Sequence, residues 1–276
     1  MPVDPTDKSV LRTLRHRQRV QSLAPVDLDA LRQSFTAMYG IADDRGYAHH
    51  AGIHGLPLPI QCHHGDLLFL PWHRAYLYFF EQAMMDQIPA ARLHWWDWTD
   101  QAGIPAAFNV QVVGTNPNPL FRAPIAGIAD AQLNQFGISL PRARIGGTMQ
   151  YVTYRRPKAG NRLPSPATVE AVLNAPNFID FSNRLENSIH GLVHVWTGGT
   201  MGQIPVAGFD PIFWAHHTMI DRLWALWQLR HPGVLPDPSL LDQALPPFPM
   251  IVRQTLDINA LGYDYTVTRN TAAPAG

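Results

Sequence analysis

Six histidines fall into two groups, His54, His64 and His73 in the first third of the chain and His190, His194 and His217 in the last. Hardly a carboxylate or thiolate stands at ligand spacing beside them. Three neutral imidazoles with an open position suit copper, or else zinc or iron, so two such groups predict a two-metal centre. His190 and His194, at i and i+4, would stand on one face of a helix and could share an ion. Alone, such a pair is more often surface or core than ligand, and the glutamate that a zinc protease would need after the first histidine is here Gly191. His217 lies four residues from both Phe213 and Asp221. That spacing predicts a ring packed on the imidazole and a carboxylate that orients neighbouring polar groups. His216 would point about 100° away on a helix and is read as buried or supporting; His63, beside His64, is read the same way.

His64 and His73 of the first group sit in His64-Gly-Asp-Leu-Leu-Phe69-Leu-Pro71-Trp72-His73-Arg74. The second sits in Glu186-Asn-Ser-Ile-His190-Gly191-Leu-Val-His194 and in Asp210-Pro211-Ile-Phe213-Trp214-Ala-His216-His217, continuing to Asp221, Arg222 and Trp224. These strings closely resemble the two copper signatures of the type 3 copper proteins: tyrosinases, catechol oxidases and molluscan hemocyanins. The resemblance runs from about Arg17 to Tyr265. It implies one copper held by His54, His64 and His73, a second held by His190, His194 and His217, and O2 bound between them as peroxide. It further implies oxidation of o-diphenols or o-aminophenols to o-quinones or quinone imines, with ortho-hydroxylation of monophenols as a further activity. An O2-binding protein of hemocyanin type is the alternative. A dizinc or diiron enzyme would normally show bridging carboxylates, and no Glu-x-x-His motif occurs.

The first ligand of the first trio has three candidates in Tyr47-Ala-His49-His50-Ala-Gly-Ile-His54-Gly55-Leu-Pro57. The Ile-His-Gly-Leu-Pro string is similar to that of hemocyanins and some fungal tyrosinases, which favours His54 over His50. Cys62 stands two residues before His64; in the family members this arrangement resembles, the sulfur is joined to the histidine ring by a thioether, and a plain buried cysteine is the other reading. Glu186 matches the position at which similar plant enzymes place a glutamate that holds a water or accepts a phenolic proton; a helix-surface acid is the other reading. Many tyrosinases carry asparagine directly after the first histidine of the second trio. This chain has Gly191 there and Val195 after His194, a departure that favours o-diphenols or o-aminophenols over monophenols. Ile204 aligns with the bulky gate over the first copper of plant catechol oxidases and is smaller than phenylalanine, so an open site, and hence an enzyme, is expected. Trp72, Trp96, Trp196, Trp214 and Trp224 are read as core.

Elements must bring the groups together. Apolar spacing, prolines near first turns and closing glycines predict helices over Pro25–Gly40, from near Pro71 through Met84, over Asn177–Trp196, and from an Asp210 cap with Pro211 at the first turn to about Leu229. The fold expected is mainly α: a four-helix bundle core holding a dinuclear copper site, with extensive loops and little β structure. The proline- and glycine-rich run from Gln101 to Pro166 reads as ordered loops over that bundle. A single catalytic domain is expected across 1–276, its core at about 17–265, with no C-terminal shielding domain. Leu261-Gly-Tyr263-Asp-Tyr265 is similar to the tyrosine motif that closes the core in this family. Balanced charge, with 21 basic and 21 acidic residues and no Lys/Arg-rich run, argues against nucleic acid or anionic membrane and for a small neutral partner. Met1 to Lys8 lacks a signal peptide's apolar run, so a soluble, cytoplasmic protein is expected, with export on a partner and a copper-delivery partner both compatible. The oligomeric state is not legible, and a lone cysteine excludes intramolecular disulfides.

Overall fold

The computed structural model describes residues 14–160 and 162–265. The stretch from Met1 to Lys8, on which the expectation of no leader rests, lies outside them. Helix α1, Pro25–Tyr39, opens on its proline, where a missing N–H leaves nothing unpaired. Helix α2, Tyr47–His54, has no counterpart among the expected helices: its eight residues carry no 3.6-residue apolar period. It is set in place by close approach, since a side chain at Gly55 would meet the Pro205 carbonyl oxygen at 2.2 Å. Helix α3, Phe69–Gln87, begins two residues before Pro71. Proline is still tolerated there, because the third N–H of a helix has no partner within the helix.

Helix α4 is Pro166–Leu173, capped by Ser165, whose hydroxyl accepts from the Thr168 N–H at 3.1 Å. The run expected as one helix from Asn177 to Trp196 is helical without a break over residues 178–197, as α5 (Phe178–Leu185), a π turn (Glu186–His190) and α6 (Gly191–Thr197). The Gly191 N–H reaches back to the Glu186 carbonyl, one residue further than in an α-helix. Helix α7, Pro211–Arg230, starts as its cap predicts: Asp210 Oδ1 accepts from the Ile212 N–H at 3.1 Å. Every residue from Pro211 to Trp227 is buried, so α7 is the central rod of the core.

Helix α3 packs on α7 and on α1, and α2 packs on α1 and on the turn Ile204–Ala207. The Phe80 and Trp214 rings stack between α3 and α7 with centroids 3.4 Å apart. The six histidines are therefore carried by α2, the loop before α3, α3, the π turn, α6 and α7, while α1 carries none. Within the loop region strands β2 (Pro124–Ile125), β3 (Arg142–Ile145) and β4 (Thr148–Val152) form a small antiparallel sheet in the order β2-β4-β3. Buried Leu120, Ile125, Leu133 and Val152 tie this region down. Among the described residues no helix is long and apolar enough to cross a membrane.

Strand β1 (Arg15–Arg17) pairs in parallel with β5 (Tyr263–Tyr265), Arg15 opposite Tyr263 and Arg17 opposite Tyr265. The pairing drives Arg17 into the core, where its guanidinium lies 2.9 Å from Glu81 on α3 and 3.2 Å from Asp221 on α7. Asp221 also pairs with Arg74 at 2.5 Å and accepts from the hydroxyls of Tyr263, at 2.8 Å, and Tyr265. Arg17 and Arg74 each lie over an aromatic ring, Tyr263 and Trp224, at 3.6 Å. Burial alone would raise both carboxyls; Arg17 holds Glu81 below the usual range, and Arg74 with Arg17 does the same for Asp221. Asp221 thus orients two guanidiniums and two tyrosine hydroxyls, and among the described residues it hydrogen-bonds no histidine. Two guanidiniums compete for a buried carboxylate far better than a neutral imidazole does.

Candidate metal centre

His54 closes α2, His64 lies in the loop before α3, and His73 stands in the first turns of α3. Their nitrogens lie within 4.8 Å of one another. His190 ends the π turn, His194 stands on α6 and His217 on α7; their nitrogens, with those of His216, also lie within 4.8 Å of one another. The two groups abut. Ring centroids are 4.6 Å apart for His73 and His217 and 5.5 Å for His64 and His190, as close as the 5.3 to 5.7 Å found within the first trio.

Backbone carbonyls aim the rings. The Nδ1 atoms of His54, His73 and His194 meet the carbonyls of Ile204 (3.2 Å), Phe69 (2.8 Å) and Met201 (2.8 Å). Each Nδ1 therefore donates its hydrogen outward and leaves the Nε2 lone pair facing the centre. The Nε2 atoms of His54, His73 and His190 are buried and have no hydrogen-bond partner among the described residues. The Nε2 atoms of His194 and His217 converge to 3.2 Å. Burial lowers all six pKa values, to about 4 for His64 and His194 and well below the usual value for the other four, with neighbouring histidines adding to the effect. All six rings are neutral at pH 7. Orphaned lone pairs on neutral, buried imidazoles are what a soft or borderline divalent metal would satisfy, so the residues fit copper.

Phe213 stacks on His217 at 4.1 Å and meets His54 edge-on at 4.8 Å. Phe69 does for the other side what Phe213 does here, packing 4.8 Å from both His73 and His190. The signal for Phe69 was in the chain: Phe-x-x-x-His occurs at both Phe69 and Phe213. Cys62 Sγ lies 3.3 Å from His64 Nδ1, and burial pushes its thiol up to about 12. Glu186 is buried and accepts the Gly65 N–H at 2.7 Å, joining the π turn to the His64 loop. Burial raises its pKa, with the Gly65 N–H opposing. Gly191 follows His190 directly, and Val195 and Ile204 are exposed. His216 is fully buried with its ring 4.9 Å from His194. The helical angle takes it off the His217 face but leaves it within reach of the second group. His50 is buried outside both groups, against Phe80, and His63 pairs with Asp66.

A family model described as the common central domain of tyrosinase matches residues 44–230, the span that holds all six histidines. A tyrosinase of Streptomyces lincolnensis is 33% identical over 215 residues, 67% of this chain and 74% of that protein. A functional unit of octopus hemocyanin superposes with a TM-score of 0.74 at 25% identity, covering 91% of this chain and 68% of that one. The tyrosinase of Burkholderia thailandensis has the same fold, with a TM-score of 0.74 at 21% identity over 95% of this chain and 75% of that one. On its histidine groups, its helical core and these matches, the chain belongs to the tyrosinase family of type 3 copper proteins.

Proposed function

We propose that this protein is a dicopper oxidase that converts o-diphenols or o-aminophenols to o-quinones or quinone imines with O2, monophenols being hydroxylated less well. His54, His64 and His73 would hold one ion and His190, His194 and His217 the other. Bound copper supplies O2 activation and accepts electrons from the phenol. The chain supplies the rest. The carbonyls of Phe69, Met201 and Ile204 hold the imidazoles in the right tautomer, while Phe69 and Phe213 keep water from the inner face of the site. Glu186, with its pKa raised by burial and its carboxylate fixed on Gly65, is placed to take a phenolic proton.

One observation carries the choice of enzyme over oxygen carrier. His64 and His194, one from each trio, are only partly buried, whereas His54, His73, His190 and His217 are sealed in. The site therefore opens to solvent between the two metal positions, where a phenol ring must enter. Similarity to hemocyanin supports the alternative of reversible O2 binding. Oxygen uptake after anaerobic reduction, measured with tyramine, catechol and o-aminophenol in parallel, separates the two. Uptake that tracks catechol or o-aminophenol is the expected result; O2 binding without turnover would favour a carrier.

The Cys62 sulfur stands close enough to His64 for the thioether that the family resemblance implies. Forming it would remove one hydrogen from sulfur and one from the ring carbon, a two-electron oxidation whose electrons and protons O2 would take up in the copper-loaded protein. Intact mass of the copper-matured chain should fall by two hydrogens, and thiol reagents should not label the unfolded chain; full labelling would establish a free cysteine.

Gly191 bears on monophenols. A Cβ there would meet, within 4 Å, only the Glu186 carbonyl oxygen at 3.7 Å, so Gly191→Asn meets no clash at its first carbon. Its amide could fix a water beside Glu186. General-base assistance contributes about 10²–10⁴-fold, and repositioning one water should yield a fraction of that. The ratio of monophenol to diphenol turnover is expected to rise several-fold in Gly191→Asn and to fall in Glu186→Gln. A wild type that already hydroxylates tyramine as fast as it oxidises catechol would remove the premise.

A further inference from the structure

We propose that the mouth of this site selects uncharged o-diphenols with an apolar ring substituent and turns away those that carry a carboxylate, an inference that rests on the oxidase reading. Two segments frame the partly buried His64 and His194: the loop between His54 and His64, and the run from Glu186 to Ile204. They are joined at the rim, where the Leu56 N–H donates to the Pro205 carbonyl at 2.8 Å and His54 is held on the Ile204 carbonyl. Both expose large aliphatic side chains: Leu58 (42% exposed) and Ile60 (37%) from the first, Val195 (43%) and Ile204 (52%) from the second. Val195 follows His194 directly on α6. Apolar side chains gathered at the opening of a functional cleft mark a surface that gains by being covered.

Charge points the same way. Residues 55–66 and 186–204 contain no lysine or arginine; their formal charges are Asp66 and Glu186, both carboxylates. His63 is held against Asp66 at 2.8 Å. Of the cations outside those segments, Arg74 is committed to Asp221 and Arg155 to Asp210, while Arg156 and Lys158 stand at the C-terminal end of α6, where their backbone N–H groups donate to the Thr197 and Trp196 carbonyls. Copper's own charge acts on the phenolic oxygens of every substrate alike, whereas the substituent across the ring meets the rim. An acid substituent there meets aliphatic carbon and the Asp66 carboxylate, with no cation in either rim segment to receive it, and a neutral one gains by covering the aliphatic rim.

The test uses a pair matched in ring electronics: 3-(3,4-dihydroxyphenyl)propionate and its methyl ester as substrates of the holoenzyme, and the corresponding monophenol acid and ester as ligands of the copper-free protein. The ester should show a kcat/KM about tenfold higher or more, a gap that narrows as ionic strength rises. It should also bind the copper-free protein more tightly. Ile204→Lys and Val195→Lys should each narrow the gap by recovering the acid. Equal kcat/KM values, or an acid preferred at low salt, would overturn the proposal while leaving the oxidase reading intact. Should neither diphenol be oxidised, the oxidase reading fails and the binding comparison alone decides the rim, equal affinities overturning it.

Discussion

Replacing His217 by alanine is expected to lower the copper content from two ions per chain to about one and to bring catechol-dependent O2 uptake down to the assay background. His217 is sealed under Phe213, its Nε2 converges with that of His194, and its ring stacks on His73 across the junction of the two groups. Losing it leaves His190 and His194 to hold the second ion with one imidazole fewer, and a two-metal reaction cannot proceed on one ion. Metal analysis and oxygen uptake on the same preparation check this. The opposite result, two coppers retained in His217→Ala, would mean that His216, whose ring lies 4.9 Å from His194, completes the second trio instead. Substituting His64 should remove the other ion in the same way, with far-ultraviolet circular dichroism confirming that α3 and α7 remain folded.

Asp221→Ala should lower the stability of the copper-free protein by about 3–5 kcal/mol, because it strands the Arg17 and Arg74 guanidiniums in the core without their shared carboxylate. Urea denaturation at neutral pH measures it, and a loss below about 1 kcal/mol, the range of exposed pairs, would show that the network is not the brace its geometry implies. The pH dependence has a definite sign. Asp221 and Glu81 are held below the usual carboxylate range in the folded chain. Their stabilisation is therefore complete above the unfolded pKa of about 4 and is lost as pH falls through the lower folded values. Wild type should lose stability on acidification across that window, and Asp221→Asn should flatten the slope.

Much of the helical core was legible because its signals are local. Asp210 and Pro211 announce the start of α7, Pro25 and Gly40 bracket α1, and the apolar run after Pro71 belongs to α3. What escaped depends on contacts distant along the chain. Helix α2 has no amphipathic period of its own and exists because Gly55 lets it lie against Pro205. The π turn at Glu186–His190 inserts a residue into what reads as one continuous helix. The acceptors that aim the imidazoles are main-chain carbonyls of Phe69, Met201 and Ile204, and a carbonyl carries no residue type to read. The polar groups that Asp221 orients arrive from β1, α3 and β5, all distant along the chain, so helical spacing alone could not name them.

The dinuclear site is tested most directly by copper analysis of the wild-type chain together with anaerobic reduction and re-oxygenation. Six neutral imidazoles in two abutting groups predict two copper ions per chain and an intense near-ultraviolet absorption that appears when the reduced protein meets O2 and vanishes when O2 is removed. A single copper per chain, or stoichiometric zinc with no such absorption, would contradict it.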